Sequence, residues 1–303
     1  MRILVVGAGA TGGYFGIRLA QAGRDVTFLV RPERARQLQQ RGLTLIRGDD
    51  HERIDPVLRT AAELNGAYDV VLLTVKASAL ESAVEDIAPA VGAPTVILPF
   101  LNGMAHLDVL NARFGPNHVL GGLVRVVATL TPDGDIAQLM DLATLTLGEQ
   151  SGQRTPRVGE VLALLDVEGV GAAIAEDVVA SMWHKWVFIV AAGAATCIMR
   201  GPVGAIVAAP GGAQFIGEVW SQAAAVSAAA GFPVPEDEAR ASLRMLTQAG
   251  SSFVSSLYRD VVAGRPGERE HLLGDFTRRA RTFGVATPLL DLALLHARIA
   301  ASQ

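Results

Sequence analysis

Gly7-Ala8-Gly9-Ala10-Thr11-Gly12 places three glycines at G-x-G-x-x-G spacing, between the apolar run Ile3–Val6 and a helically spaced stretch, Tyr14–Ala20. Strand, glycine turn and helix in that order form a phosphate cradle. Gly7 permits the tight turn, Gly9 lets the backbone approach a pyrophosphate, and Gly12 lets the helix pack close on the strand. Free N–H groups and the positive end of the helix dipole then face the anion. The chemistry is dinucleotide binding by Gly7, Ala8, Gly9, Ala10, Thr11 and Gly12. A second strand, Asp25–Val30, leads into Arg31. An acid at this point accepts a ribose 2′-hydroxyl, whereas an arginine suits a 2′-phosphate. Asp25 stands at the wrong end of the strand, so Arg31, with Arg34 close behind, favours NADP over NAD. A solvated basic turn opening the helix Glu33–Gln40 is the other reading of these arginines.

Two more polar residues stand where strands end. Val70–Val75 is a continuous apolar run, as a buried parallel strand would be, and it ends in Lys76. Thr95–Phe100 repeats the pattern and runs into Leu101-Asn102-Gly103-Met104. Ligands in open α/β sheets lie at the carboxyl ends of strands, so Lys76 and Asn102 stand where a cofactor belongs. A surface lysine and a turn asparagine are the simpler alternatives.

Lys185 sits in the middle of Met182–Val190, an otherwise core-like helix. Ser181, Lys185, Ile189 and Gly193 fall four apart and share one stripe. A buried ammonium is costly unless paired or neutral, so this lysine needs a reason. Its stem could lie on apolar surface with its head in water. Alternatively it lines a cleft beside a nicotinamide and gives a proton to a carbonyl oxygen as hydride arrives at carbon.

These residues need elements to position them. A chain of 303 residues suggests about two domains. Half of it is hydrophobic and 18% is charged, enough for a sizeable core and unlike a disordered chain. A net charge of −4, with no strongly basic domain, argues against a nucleic-acid partner. Cys197 is the only cysteine, so no internal disulfide can form and a reducing cytoplasm fits. The first apolar run is too short for a signal peptide, and the longest, Trp186–Met199, falls short of the roughly 20 residues that cross a bilayer. A soluble protein without a membrane partner is expected. The six histidines are scattered, with no metal motif.

Alternation predicts a hairpin from Leu43–Ile46 and His51–Val57, and helices at Ala79–Ala88 and Val158–Leu165. Short strands at Leu123–Leu130, Asp135–Leu139 and Ala143–Leu147 are expected to extend the sheet as antiparallel edges, with a last strand at Ala172–Ile174. The α/β part, residues 1–175, carries the cofactor, and residues 176–303 read as almost entirely helical. The predicted helices are Asp177–Met199, Gly212–Ala230, Pro235–Ala249, Ser251–Ala263, Glu268–Phe283 and Pro288–Ala301.

The glycine motif, Val75-Lys76-Ala77, Leu101-Asn102-Gly103-Met104 and Trp183-His184-Lys185 occur in the order found in ketopantoate reductases, which this chain resembles. Ser255–Asp260, Gly264-Arg265, Glu268, Arg278–Arg281 and Gly284–Pro288 complete the series. The resemblance implies an α/β fold: an N-terminal Rossmann-type doubly wound sheet followed by an all-helical C-terminal domain. It implies NADPH-dependent reduction of a 2-keto acid, ketopantoate to pantoate. Lys185 matches the catalytic proton donor, and Glu268 the glutamate that orients it or contacts the cofactor. Asn102 matches the asparagine near nicotinamide and substrate, Lys76 a cofactor lysine, and Ser256 the serine on the substrate carboxylate. The helical domain leaves room for a homodimer surface.

The pattern departs from the family on the substrate side. Ile189, Gly193 and Val203 stand where the family has asparagines, Glu268-Arg269-Glu270 replaces Glu-x-Asp, and Leu273 replaces an asparagine. Losing hydrogen-bond partners for a substrate hydroxyl removes discrimination worth several kcal/mol. A more apolar 2-keto acid or ketone is therefore the alternative substrate. A dehydrogenase of the 6-phosphogluconate or hydroxyacid type is disfavoured by Arg31 and the Asn102 loop. A non-catalytic NADP-binding sensor is disfavoured by the retention of Lys185 and Glu268.

Overall fold

The computed structural model describes residues 1–265 and 267–300; Ala301, the expected end of the last helix, lies outside them. The first half of the chain runs β1 (Arg2–Val6), α1 (Ala10–Gln21), β2 (Asp25–Leu29), α2 (Pro32–Arg41), β3 (Leu43–Arg47), β4 (Asp50–Ile54) and β5 (Val57–Arg59). It continues with β6 (Val70–Leu73), α3 (Leu80–Ile87), β7 (Val96–Pro99), α4 (Ala105–Phe114), β8 (Leu120–Leu130), β9 (Ile136–Glu149), α5 (Pro156–Leu165) and β10 (Gly171–Ile174).

Among the described residues, β5-β2-β1-β6-β7 form one parallel sheet in that order. This is the doubly wound order, with its reversal at β1 and β6, where such folds bind ligands. The runs Ile3–Val5 and Val70–Leu73 are wholly buried, because helices cover both faces of a parallel sheet. Each such side chain contributes about 2 kcal/mol of burial. Val6, Leu29, Leu73 and Pro99 share one row of the register, so the segments after them leave from one edge.

The later strands do not extend this sheet. β10-β9-β3-β4, with β8 paired to β9, make a second sheet, joined to the first by one parallel bridge, Ile97–Val119. β3 and β4 pair antiparallel as their alternation predicts. The two short strands expected at 135–147 are one strand, β9, and the anticipated break survives as a register shift opposite Val126 and Ala128.

The remainder is helical: α6 (Val178–Met199), α7 (Val203–Ala208), α8 (Gly212–Ala229), α9 (Glu236–Leu246) and α10 (Ser256–Val262), then α11 (Asp275–Thr282) and α12 (Pro288–Ala300). A wider π-helical turn, Glu270–Gly274, leads into α11. α6 has 22 residues because it starts well before its apolar run, so by length and hydropathy it is enough to cross a bilayer, contrary to expectation. Most of it is buried within the fold.

By contacts the chain divides into two compact units. One holds Met1–Leu101 and His106–Val179, the other Asn102–Ala105 and the chain from Ala180 on. The division thus falls at 179/180 rather than 175/176, and the short Asn102 segment goes with the helices.

Candidate active site

The glycine loop has the backbone its residue types allow. Gly7 has φ +96°, open to glycine at little cost, and its N–H donates to the Leu29 carbonyl at 2.9 Å. A Cβ on Gly12 would fall 2.1 Å from both the Gly7 carbonyl oxygen and Thr74 Oγ1, so only glycine lets α1 seat this close. Thr74 donates to the carbonyls of Val6 at 2.8 Å and Gly7 at 3.1 Å, bracing the turn from β6. Gly9 is different: a Cβ there would meet nothing within 4 Å. Among the described residues, no neighbour demands its smallness. Gly9 is also the N-cap of α1, with no side-chain cap and no acid in the first turn. That open, uncapped helix start fits a dinucleotide pyrophosphate.

Arg31 follows β2, is exposed and serves as the N-cap of α2. Arg34 is committed elsewhere. Its Nη2 donates to the carbonyls of Ala8 at 3.1 Å and Gly134 at 2.7 Å, and its Nη1 to Gln37 at 2.5 Å. Burial lowers its pKa, against an opposing pull from Asp135. Arg34 is therefore a strut beneath the loop, which leaves Arg31 as the arginine at the strand end. Lys76 leaves β6 exposed, at the head of a short turn, Ala77–Ala79.

In the helical unit, α6 presents two kinds of face. Trp186 is fully buried, meets Phe276 edge-on at 4.7 Å, and donates from Nε1 to the Leu272 carbonyl at 3.2 Å. Trp183 is buried between Trp186, Phe232 and Phe276. Lys185 is one residue, about 100° around the helix, from Trp186. It shares its half-buried face with Ser181, Phe188 and Ile189. The aromatic cluster anchors the helix, and the lysine stands on the face left less covered.

Glu268 is half-buried, and its carbonyl accepts from Leu272 N–H at 2.8 Å at the start of the π-helical turn. Glu270 is engaged in structure: Arg298 Nε and Nη2 each donate to it at 2.7 Å, and these bonds hold its pKa below the usual carboxylate range. Ser255 and Ser256 have separate environments. Ser255 is buried, caps α10 by accepting from Tyr258 N–H at 3.0 Å, and meets Thr196 Oγ1 at 2.8 Å. Ser256 is the exposed first residue of α10.

Of the positions that depart from the family, 193, 203 and 273 are packed, whereas Ile189 is half-buried and Glu270 is exposed. Val203 and Leu273 are fully buried, and a Cβ on Gly193 would lie 3.3 Å from Leu257 Cδ2. Asn102 is half-buried, and its carbonyl oxygen lies 2.5 Å from His271 Nε2. Thr74, Arg34, Ser255 and His271 all carry contacts that spacing did not single out. Thr74 was hidden in an apolar run, and His271 contacts a residue far away in sequence.

Register thus brings the glycine loop, Arg31 and Lys76 to one sheet edge, while Asn102, Lys185, Ser256 and Glu268 belong to the helical unit.

The family model for ketopantoate reductase PanE/ApbA matches residues 3–152, and the model for its C-terminal part matches residues 177–299. The uncharacterized oxidoreductase YkpB of Bacillus subtilis is 33% identical, with 96% of each chain covered. A 2-dehydropantoate 2-reductase of Mesorhizobium japonicum is 29% identical over 97% of this chain and 96% of its own. The fold is shared with a D-mandelate dehydrogenase solved with NADH and anilino(oxo)acetate, at a TM-score of 0.90 and 20% identity, covering 100% of this chain and 99% of that one.

Proposed function

The chain belongs to the ketopantoate reductase family of oxidoreductases acting on CH–OH groups, and from that premise we propose that it reduces a 2-oxo acid to the 2-hydroxy acid with NADPH. Ketopantoate is the substrate the family suggests. The observation that carries the proposal is Lys185, a half-buried ammonium on the less covered face of an aromatic-anchored helix.

In this reading Gly7 shapes the turn, the N–H groups that follow it up to Gly12 hold the pyrophosphate, Arg31 takes the 2′-phosphate, and Lys76 adds charge at the next strand end. When bound there, the reduced nicotinamide would supply the hydride for the carbonyl carbon of the substrate. Lys185 Nζ hydrogen-bonds the ketone oxygen and gives it a proton as negative charge develops there, so C=O becomes CH–OH. Glu268 orients Lys185, Asn102 fixes the substrate beside the cofactor, and the Ser256 hydroxyl donates to the substrate carboxylate. The cytoplasm is the compartment we infer, since Cys197 is the only cysteine and no internal disulfide can form.

A second reading, a more apolar substrate tail, is favoured by the packing at Gly193. A Cβ there would already press on Leu257 Cδ2 at 3.3 Å, and the side chains at 203 and 273 are buried hydrocarbon. A panel of 2-oxo acids with NADPH separates the two. Fastest turnover of ketopantoate supports the first, fastest turnover of branched or aromatic 2-oxo acids the second, and no NADPH oxidation with any of them contradicts both. Titrating both cofactors tests Arg31. Wild type should bind NADPH at least tenfold more tightly than NADH, and Arg31→Ala should erase that preference; equal binding by wild type contradicts the assignment.

A further inference from the structure

Asn102 and Gly103 follow the last strand of the parallel sheet, yet they group with the helical unit. A specific contact holds them there. His271, in the π-helical turn Glu270–Gly274, places Nε2 at 2.5 Å from the Asn102 carbonyl oxygen. A carbonyl can only accept, so Nε2 carries the proton and donates. The same ring lies 3.4 Å from where a Cβ on Gly103 would stand, and Gly103 has φ +81°. Gly103 thus supplies the left-handed backbone with which the loop meets the imidazole. π-Turns recur at functional sites because the extra residue re-aims a side chain. Here the turn begins two residues after Glu268, so the segment that carries the proposed lysine-orienting glutamate also grips the proposed substrate asparagine.

We propose that His271 is a positioning residue for the reduction: by donating to the Asn102 carbonyl it sets the backbone from which the Asn102 amide reaches the substrate. The inference rests on the proposed role of Asn102. His271 touches no reacting atom. It acts through the loop, as a support that holds a polar group in its productive geometry. The bond is available to both the neutral Nε2–H tautomer and the imidazolium, so it does not depend on the charge of the ring.

The test compares His271→Phe, which keeps a ring beneath Gly103 without the donor, with His271→Gln, whose amide N–H reaches to about the same place as Nε2. Both are assayed with NADPH and the 2-oxo acid turned over fastest by wild type. His271→Phe should lower kcat about tenfold and raise the KM for the 2-oxo acid, leaving the Kd for NADPH within about twofold. His271→Gln should recover most of the loss. Amide hydrogen exchange across residues 102–105, which needs no turnover, should quicken in His271→Phe and return toward wild type in His271→Gln. Asn102→Ala, which keeps the carbonyl, should lose activity on its own, and adding His271→Phe to it should cost little more. Wild-type kcat and exchange in His271→Phe would overturn the positioning role, as would a full additive loss in the double variant. Full activity in Asn102→Ala would instead remove Asn102 from the site and overturn the reading beneath this one.

Discussion

Gly9 and Gly12 belong to one motif but answer to different neighbours. A methyl group on Gly12 would strike the Gly7 carbonyl and Thr74 Oγ1 at 2.1 Å, both fixed parts of the fold. A methyl on Gly9 would enter open space. Gly12→Ala should therefore lower thermal stability, by the 1–3 kcal/mol typical of overpacking or more, and weaken NADPH binding with it. Gly9→Ala should leave stability nearly unchanged and weaken NADPH binding at least tenfold. Unfolding curves and a fluorescence titration of NADPH distinguish them; tight NADPH binding in Gly9→Ala contradicts the pyrophosphate assignment. At this scale spacing was informative where chemistry repeats a short local pattern. It was silent where two residues meet only in space, as His271 and Asn102 do. It also grouped Arg31 and Arg34 by proximity, although one guanidinium is exposed and the other is spent on backbone carbonyls.

Elements show the same divide between local signal and tertiary pairing. The long helix α6 and the strands of the parallel sheet follow from their apolar runs. The helix expected over 251–263 begins only at Ser256, because the preceding backbone is used elsewhere: the carbonyls of Ser251 and Phe253 accept from Gly204 at 2.8 Å and Val203 at 3.0 Å. Those partners open α7, an element with too few residues to announce itself in sequence. α4 escaped notice for a similar reason, since its apolar contacts depend on where the chain goes after β7. The hairpin β3–β4 is held to α1 by an ion pair with a pH signature. Glu52 accepts from Arg18 Nη1 at 2.7 Å and Nη2 at 3.2 Å, and Arg18 is only 8% exposed. Burial alone would push Glu52 up, but hydrogen bonds from Arg18, Gln21 and Arg47 and the charge of Arg18 outweigh it. They hold the carboxyl at about 2, against an ordinary value of 4.5. A depressed carboxylate stabilises the fold above its unfolded pKa, and that stability is lost as pH falls through the folded pKa. The contribution of Glu52 should thus disappear between about pH 4.5 and 2. Denaturant unfolding at pH 7 and pH 3 tests this. Glu52→Gln should be less stable than wild type at pH 7, by about 2 kcal/mol, because Arg18 loses its charged partner. It should lose less than wild type on acidification, whereas an equal loss in both proteins contradicts the assignment.

For the whole molecule, the order of parts was readable and their boundary less so. Composition and the two informative stretches, Gly7–Gly12 and Met182–Val190, point to a dinucleotide fold followed by helices, and the chain has that order. The second sheet was not legible, because β9 pairs with β3 and β10 as well as with its neighbour β8, and those two pairings are long-range rather than local. Nor was the grouping of Asn102–Ala105 with the helical unit, which depends on a contact across the sequence. In the proposed reaction the cofactor side and the proton donor follow the family pattern, and the substitutions at 189, 193, 203 and 273 fall on the side proposed for the substrate. The central claim is that Lys185 protonates the ketone oxygen. It is tested most directly by single-turnover NADPH oxidation with the best 2-oxo acid, in wild type and Lys185→Ala. Loss of a positioned acid should slow the chemical step by at least 10² to 10⁴-fold while the Kd for NADPH stays within about twofold. A Lys185→Ala protein that oxidises NADPH at close to the wild-type rate would contradict it.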